Sequence, residues 1–290
     1  MQGYLLKEGG YPKEKLSDSQ MWEAFNWLFS SRSKNDSSYK FLFLKAILDC
    51  LDQCSDEGYI SFDILFEEFV KSAWDLVAKY GILQKRRAVG KKATYLEQII
   101  MGVIDSQGGY VEFTELESSE KKKICKKVKN DCKKYVVGAL YGDVKTYLYA
   151  FSKPEEWIRM NPLMVEFVKK NKSIIETLNY YKWSGFYEEI NEDDVKKNIE
   201  TMIDRTFVRN NESIYRAVLA YEFEYKEKKI EKFERVNTLE LLFEAESVEE
   251  FADDAMVEKE LFVDFNSMQE YISDPIMLIK QLKKEKGITS

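Results

Sequence analysis

The sequence predicts a mostly α fold: a multi-helix domain with at most a small β-hairpin, followed by an acidic C-terminal extension. Three observations carry this. The 290 residues include only four prolines and thirteen glycines, a poverty that long helices tolerate better than turn-dense β folds. The chain is 44% hydrophobic and 33% charged, enough apolar material for a sizeable core and too much for a disordered chain. Apolar residues recur at helical spacing behind recognisable capping boxes.

In chain order, Ser17-x-x-Gln20 is a capping box. Met21, Trp22, Phe25, Leu28 and Phe29 share one face of the helix it opens. The polar stretch SSRSKNDSS, Ser30 to Ser38, is a loop. A second helix runs from Tyr39 to about Leu51, apolar almost all round and therefore central and buried. A turn at SDEG leads to a short strand, Tyr59-Ile60-Ser61-Phe62, and a third helix covers Asp63 to Tyr80, with Gly81 placed to end it. Thr94-x-x-Glu97 is another capping box, opening a helix through Val103. Gly108-Gly109 breaks the pattern before Tyr110-Val111-Glu112-Phe113, read as a strand that forms a hairpin with the first. Ser119 precedes a basic helix, and Asn161-Pro162 starts another with proline in its first turn. Helical patterns continue through Ile190, then from about Asp194 to Lys229. The boundary falls near residues 229–237, giving a helical domain over 1–236 and an acidic, partly helical extension over 237–290.

No apolar run reaches the ~18 residues of a membrane span, and the first fifteen residues lack the apolar core of a signal peptide, so a cytoplasmic address and no membrane partner are expected. The net charge of −7 argues against indiscriminate nucleic-acid binding, but its distribution is polar. Lys121 to Lys134 holds eight lysines and one aspartate, hence +7, and Glu240 to Asp264 holds ten acids and one lysine, hence −9.

Stepping roughly 100° per residue along the basic helix places Ile124, Cys125, Val128, Cys132, Tyr135 and Val136 on one arc. Lys122, Lys123, Lys126, Lys127, Lys129, Lys133 and Lys134 fill the opposite arc. Their mutual repulsion asks for an anionic surface opposite or for solvent screening. A phosphate backbone, an acidic segment and plain solvent all answer that need. The stretch QKRRAVGKK adds Lys85, Arg86, Arg87, Lys91 and Lys92 in a loop, where the arginines could grip phosphate by bidentate pairing.

Other constellations are poorer in chemistry. The chain has no histidine, which excludes imidazole acid–base catalysis and the Ser-His-Asp arrangement. Cys50 and Cys54, and Cys125 and Cys132, are spaced C-x3-C and C-x6-C, which read as small buried residues and not as a zinc site. Aligning Gly58 to the sixth position of a calcium loop puts Gln53 first and Ile64 twelfth, where an Asp and a bidentate Glu are needed. No metal or other cofactor is expected. Glu224-Tyr225-Lys226 with Asp204 upstream has the residue types of a histidine-free metal nuclease.

Two further stretches are Ser38 to Leu48 continuing through Ile60-Ser61-Phe62 to Ala73-Trp74, and Asn161-Pro162, Phe167, Asn171 and Tyr180-Tyr181-Lys182-Trp183 leading to Asn191. Together they resemble the helical N-terminal region of bacterial HNH-endonuclease-like proteins, which accompany restriction or anti-phage systems. The resemblance spans roughly Ser38 to Arg216. In that family a C-terminal HNH module follows, whose histidine and acid bind metal and activate water. Here the chain turns acidic after Ile214-Tyr215-Arg216, and the resemblance implies a member without the nuclease and without transferable catalytic residues.

The expectation is a non-catalytic subunit of a bacterial defence or DNA-processing system that binds DNA or a protein partner such as an ATPase or nuclease subunit. The alternatives are an adaptor that never meets nucleic acid and the metal nuclease using Asp204, Glu224 and Lys226. The acidic tail, interleaved with Leu241, Leu242, Phe243, Phe251, Leu261, Phe262 and Phe265, could complete the core, mask the lysine face or dock on a partner.

Overall fold

The computed structural model describes residues 5–30, 32–87, 92–203, 205–209, 211, 213–226, 236–237 and 259–260. Its helices are α1 (Asp18–Phe29), α2 (Tyr39–Asp49), α3 (Phe62–Ala78), α4 (Tyr95–Gln107), α5 (Ser118–Asp143), α6 (Pro162–Lys170), α7 (Lys172–Ile190), α8 (Asp193–Met202), α9 (Arg205–Arg209) and α10 (Ile214–Leu219). The last continues as a π-helix over Ala220–Lys226. Among the described residues no helix is long and apolar enough to cross a membrane.

The capping boxes form as the sequence predicts. Ser17 and Thr94 each accept from the backbone three residues on, while Gln20 and Glu97 reach back to the cap. Helix α2 is buried from Tyr39 through Leu48 without a break and packs against α3, α5 and α7. Such a helix can carry lysine only if each ammonium finds partners inside. Lys40 Nζ donates to Ser33 Oγ at 2.9 Å, to the Lys34 carbonyl at 2.6 Å and to Asp143. Lys45 Nζ reaches Asp49 at 2.7 Å and lies 4.5 Å from the centre of the Phe223 ring. Aromatic pairs extend the core outward from α2: Phe41 stacks on Trp183 of α7, and Phe43 meets Phe66 of α3.

The β structure departs from the expected hairpin. Strands β1 (Glu8–Gly9), β2 (Tyr59–Ser61), β3 (Tyr149–Ser152) and β4 (Trp157–Met160) form one antiparallel sheet in the order β1-β3-β4-β2. Residues 110–113 do not pair with β2. Val111 instead accepts the Trp74 indole N–H at 2.8 Å, and Phe113 begins a short 3-10 turn against the Trp74 ring. The turns flanking β3 carry no glycine signal. Lys145, Thr146 and Glu156 all adopt positive φ, a region that residues with a Cβ rarely enter. A separate two-residue parallel pair joins Val236–Asn237 (β5) to Lys259–Glu260 (β6).

Helix α4 runs past Val103 to Gln107, and the helix anticipated over 194–229 is broken into α8, α9 and α10. Ser213 starts α10 afresh by accepting from the Arg216 N–H at 3.1 Å. Helix α3 ends where Gly81, at φ +69°, turns the chain, and Ile82 N–H closes back on the Leu76 carbonyl at 2.8 Å.

Two glycines test this architecture in opposite directions. Gly58 precedes β2 at φ +83°, and a Cβ there would lie 3.3 Å from the Met160 carbonyl oxygen of β4. Gly102 sits in the exposed middle of α4 with open space around it. Urea unfolding should show Gly58→Ala less stable by about 1–2 kcal/mol and Gly102→Ala more stable by about 0.5–1 kcal/mol. Equal effects would contradict the backbone geometry described for β2.

Candidate nucleic-acid interface

Helix α5 opens at Glu117, which makes no side-chain cap, and its lysines crowd the N-terminal half, where like charges three and four residues apart repel. Packing therefore has to hold it. Ile124, Cys125, Val128, Cys132 and Val136 are buried, and the helix contacts α2, α3, α4, β1 and β3. Tyr135, assigned to the same arc from the sequence, is instead 43% exposed. The antiparallel α4 begins at that level, with Tyr95 beside Lys134, while its far end reaches Glu120 through Gln107 at 3.2 Å.

At roughly 100° per residue, Lys122, Lys126, Lys129 and Lys133 share one stripe of the helix and Lys123, Lys127 and Lys134 another. On the sheet side, Lys129 is buried, with its Nζ 2.6 Å from Asp63 at the start of α3 and 2.5 Å from Glu156 in the β3–β4 turn. Lys133 also pairs with Glu156. Burial by itself would push the Lys129 ammonium down, but hydrogen bonds and charge from Asp63 and Glu156 outweigh it and hold the group above its ordinary value. Burial likewise opposes ionisation of Glu156, and the two lysines overcome this and hold its carboxyl below the usual range.

The rest of the face is open. Lys122, Lys123, Lys126 and Lys127 are exposed and have no carboxylate partner among the described residues. Lys134, also exposed, lies 5.7 Å from the Tyr95 ring centre and 4.8 Å from that of Tyr135. Lys121 is drawn back to the Thr114 carbonyl at 2.7 Å.

The 84–92 stretch is only partly available. Gln84 is buried, accepting from Ser38 Oγ at 2.5 Å and Tyr187 OH at 2.9 Å, and it anchors the segment. Arg86 donates to the Glu189 carbonyl at 3.0 Å. Arg87 pairs at 2.9 Å with Glu97, the same carboxylate that caps α4. Lys85 and Lys92 are exposed, and Lys91 lies outside the described residues.

The Glu-x-Lys pair does not form a common site. Glu224 is buried against Arg216 at 2.9 Å, whereas Lys226 pairs with Asp75 at 2.8 Å and with Glu222 at 3.4 Å. Both sit on the π-helix, and Asp204 lies outside the described residues. Among the described residues no cluster of three Cys, Asp or Glu could hold a metal ion. Cys50, Cys125 and Cys132 are buried free thiols, each pushed by burial up to about 12. A cleft of about 650 Å³ between the 33–36 loop and α7 carries both signs of charge, with Lys34 and Lys182 facing Asp36, Glu188 and Glu189. It lacks the single-signed character of the α5 face. The acidic tail lies outside the described residues apart from β5 and β6.

Two variants probe these assignments. Because the Glu156 carboxyl is depressed in the folded state, its contribution is present above its unfolded value of about 4.3 and is lost as pH falls through the folded value. Glu156→Gln should be less stable than the parent at pH 7, with the difference closing as pH drops from about 4.3 downward; a constant difference would remove Glu156 as the partner of Lys129. Glu224→Ala strands a buried guanidinium and should cost about 3–5 kcal/mol in urea unfolding. A fully stable Glu224→Ala protein would contradict the structural role given to Glu224.

Comparison with family models, with curated proteins and with solved structures finds no match, and the reading of this surface therefore rests on its own residues.

Proposed function

We propose that the chain is a non-catalytic nucleic-acid-binding subunit that contacts phosphates through the open lysines of α5. The observation that supports this is the exposed set Lys122, Lys123, Lys126, Lys127 and Lys134, of which the first four have no carboxylate partner among the described residues. Lysines at i, i+3 and i+4 repel one another on a helix surface, and neutralising phosphates relieves that repulsion while releasing condensed counterions. Lysine is a hydrated point charge without the planar fork of arginine, so the contact positions a backbone and does not read base edges.

The setting we propose is a bacterial defence or DNA-processing assembly. It rests on the resemblance of residues 38–216 to the helical part of HNH-endonuclease-like proteins. A chain without histidine would bring binding to such an assembly and leave cleavage to another subunit. An acidic protein surface would fit the same lysines, and nucleic-acid titration separates the two readings.

The decisive titration uses the full chain and a fluorescent oligonucleotide at increasing salt. Binding should weaken steeply, with a slope of log affinity against log salt of about −0.7 to −0.9 for each phosphate neutralised. Changing Lys122, Lys123, Lys126 and Lys127 together to Gln should flatten that slope by about 3–3.5 and weaken binding for all sequences alike. An unchanged slope in the folded quadruple variant would transfer the lysine face to a protein partner.

A further inference from the structure

Resting on that reading, we infer that the nucleic acid is single-stranded, its backbone lying along the α5 lysines and a base stacking on the Tyr95–Tyr135 pair. Of the seven large apolar side chains exposed among the described residues, Tyr95 at 46% and Tyr135 at 43% are the two that flank an exposed lysine of this face. They come from different helices. Tyr95 is the first residue of α4, fixed by the Thr94–Glu97 capping box, and Tyr135 follows the last lysine of the run in α5. Lys134 stands over both rings. A base that stacks on either ring would thus bring its own phosphate beside that ammonium.

A duplex makes poor use of this arrangement. Its bases are already stacked on one another, so exposed tyrosines on a convex helix surface would meet only sugar and phosphate. An unpaired strand offers a free π-face at every nucleotide, and aromatic platforms beside a basic track are how sequence-tolerant single-strand binders hold it. The lysine run supplies such a track. From Lys122 to Lys134 it rises about 18 Å along the helix, enough for several nucleotides. Arginine is absent from Lys121 to Lys134, so no forked donor is present there to read a guanine edge. The chemistry therefore favours an unpaired strand of any sequence.

The test uses the full chain at low salt with three fluorescent probes: a twenty-nucleotide thymidine strand, the same strand with abasic sites in place of its bases, and a twenty-base-pair duplex. The thymidine strand should bind about fivefold or more tightly than the abasic strand of equal charge, and more tightly than the duplex. Tyr95→Ala with Tyr135→Ala should lower thymidine-strand affinity by about fivefold or more while leaving abasic affinity unchanged. Equal affinity for the thymidine and abasic strands, or tighter binding of the duplex, overturns the stacking inference and leaves the phosphate-binding reading in place. Absence of binding to all three probes overturns both.

Discussion

The buried seam of α5 is the constraint on which the surface depends. Ile124, Val128, Cys132 and Val136 must face α2 and α3 to leave water. Each side chain of this kind contributes about 1.5–3 kcal/mol on full burial. The like-charged pairs Lys122–Lys126, Lys123–Lys126 and Lys123–Lys127 each cost about 0.2–0.5 kcal/mol. Burial wins by a wide margin, so the fold tolerates a helix whose outer face repels itself. Rotating α5 to disperse its lysines would strip the core of its central seam.

The orientation that buries this seam also leaves Lys129 at the edge of the core, where an unpaired ammonium would be costly. Asp63 and Glu156 answer it from two different elements, the start of α3 and the turn between β3 and β4. The strained φ of +59° at Glu156 delivers its carboxylate to both Lys129 and Lys133. One charge cluster thus ties the sheet to α3 and α5, and it occupies Lys129 and Lys133. What remains without a carboxylate among the described residues is Lys122 and Lys126, earlier on the same stripe, and the second stripe of Lys123, Lys127 and Lys134, which ends at two tyrosines. This division follows from where the fold happens to supply carboxylates.

Local chemistry was legible in the sequence. The Ser17 and Thr94 boxes, the wholly buried α2 and the two-faced α5 all rest on residues within a few positions of one another. What depends on distant partners was not. Glu156 lies 27 residues from Lys129, in a turn without glycine, so neither the sheet nor the pairing left a local mark. Arg86 and Arg87 look free until α4 and the end of α7 bring up Glu97 and the Glu189 carbonyl. Periodicity assigned Tyr135 to the core because it records the angle around a helix, not where the neighbouring helix begins. The Tyr95–Lys134–Tyr135 group was illegible for the same reason, since its members are separated by some forty residues of chain.

On the proposed reading, Lys129 and Lys133 are held by the fold, while Lys122, Lys123, Lys126, Lys127 and Lys134 are open to an anionic strand. Lysine-selective acetylation of the full chain, read by mass spectrometry with and without a single-stranded oligonucleotide, tests it residue by residue. The account predicts that Lys122, Lys123, Lys126, Lys127 and Lys134 react readily in the free protein and become protected on binding. Lys129 should react slowly in both states, and exposed lysines elsewhere, such as Lys169 and Lys197, should be unaffected. Protection spread evenly over the surface, or confined to lysines outside α5, would contradict it.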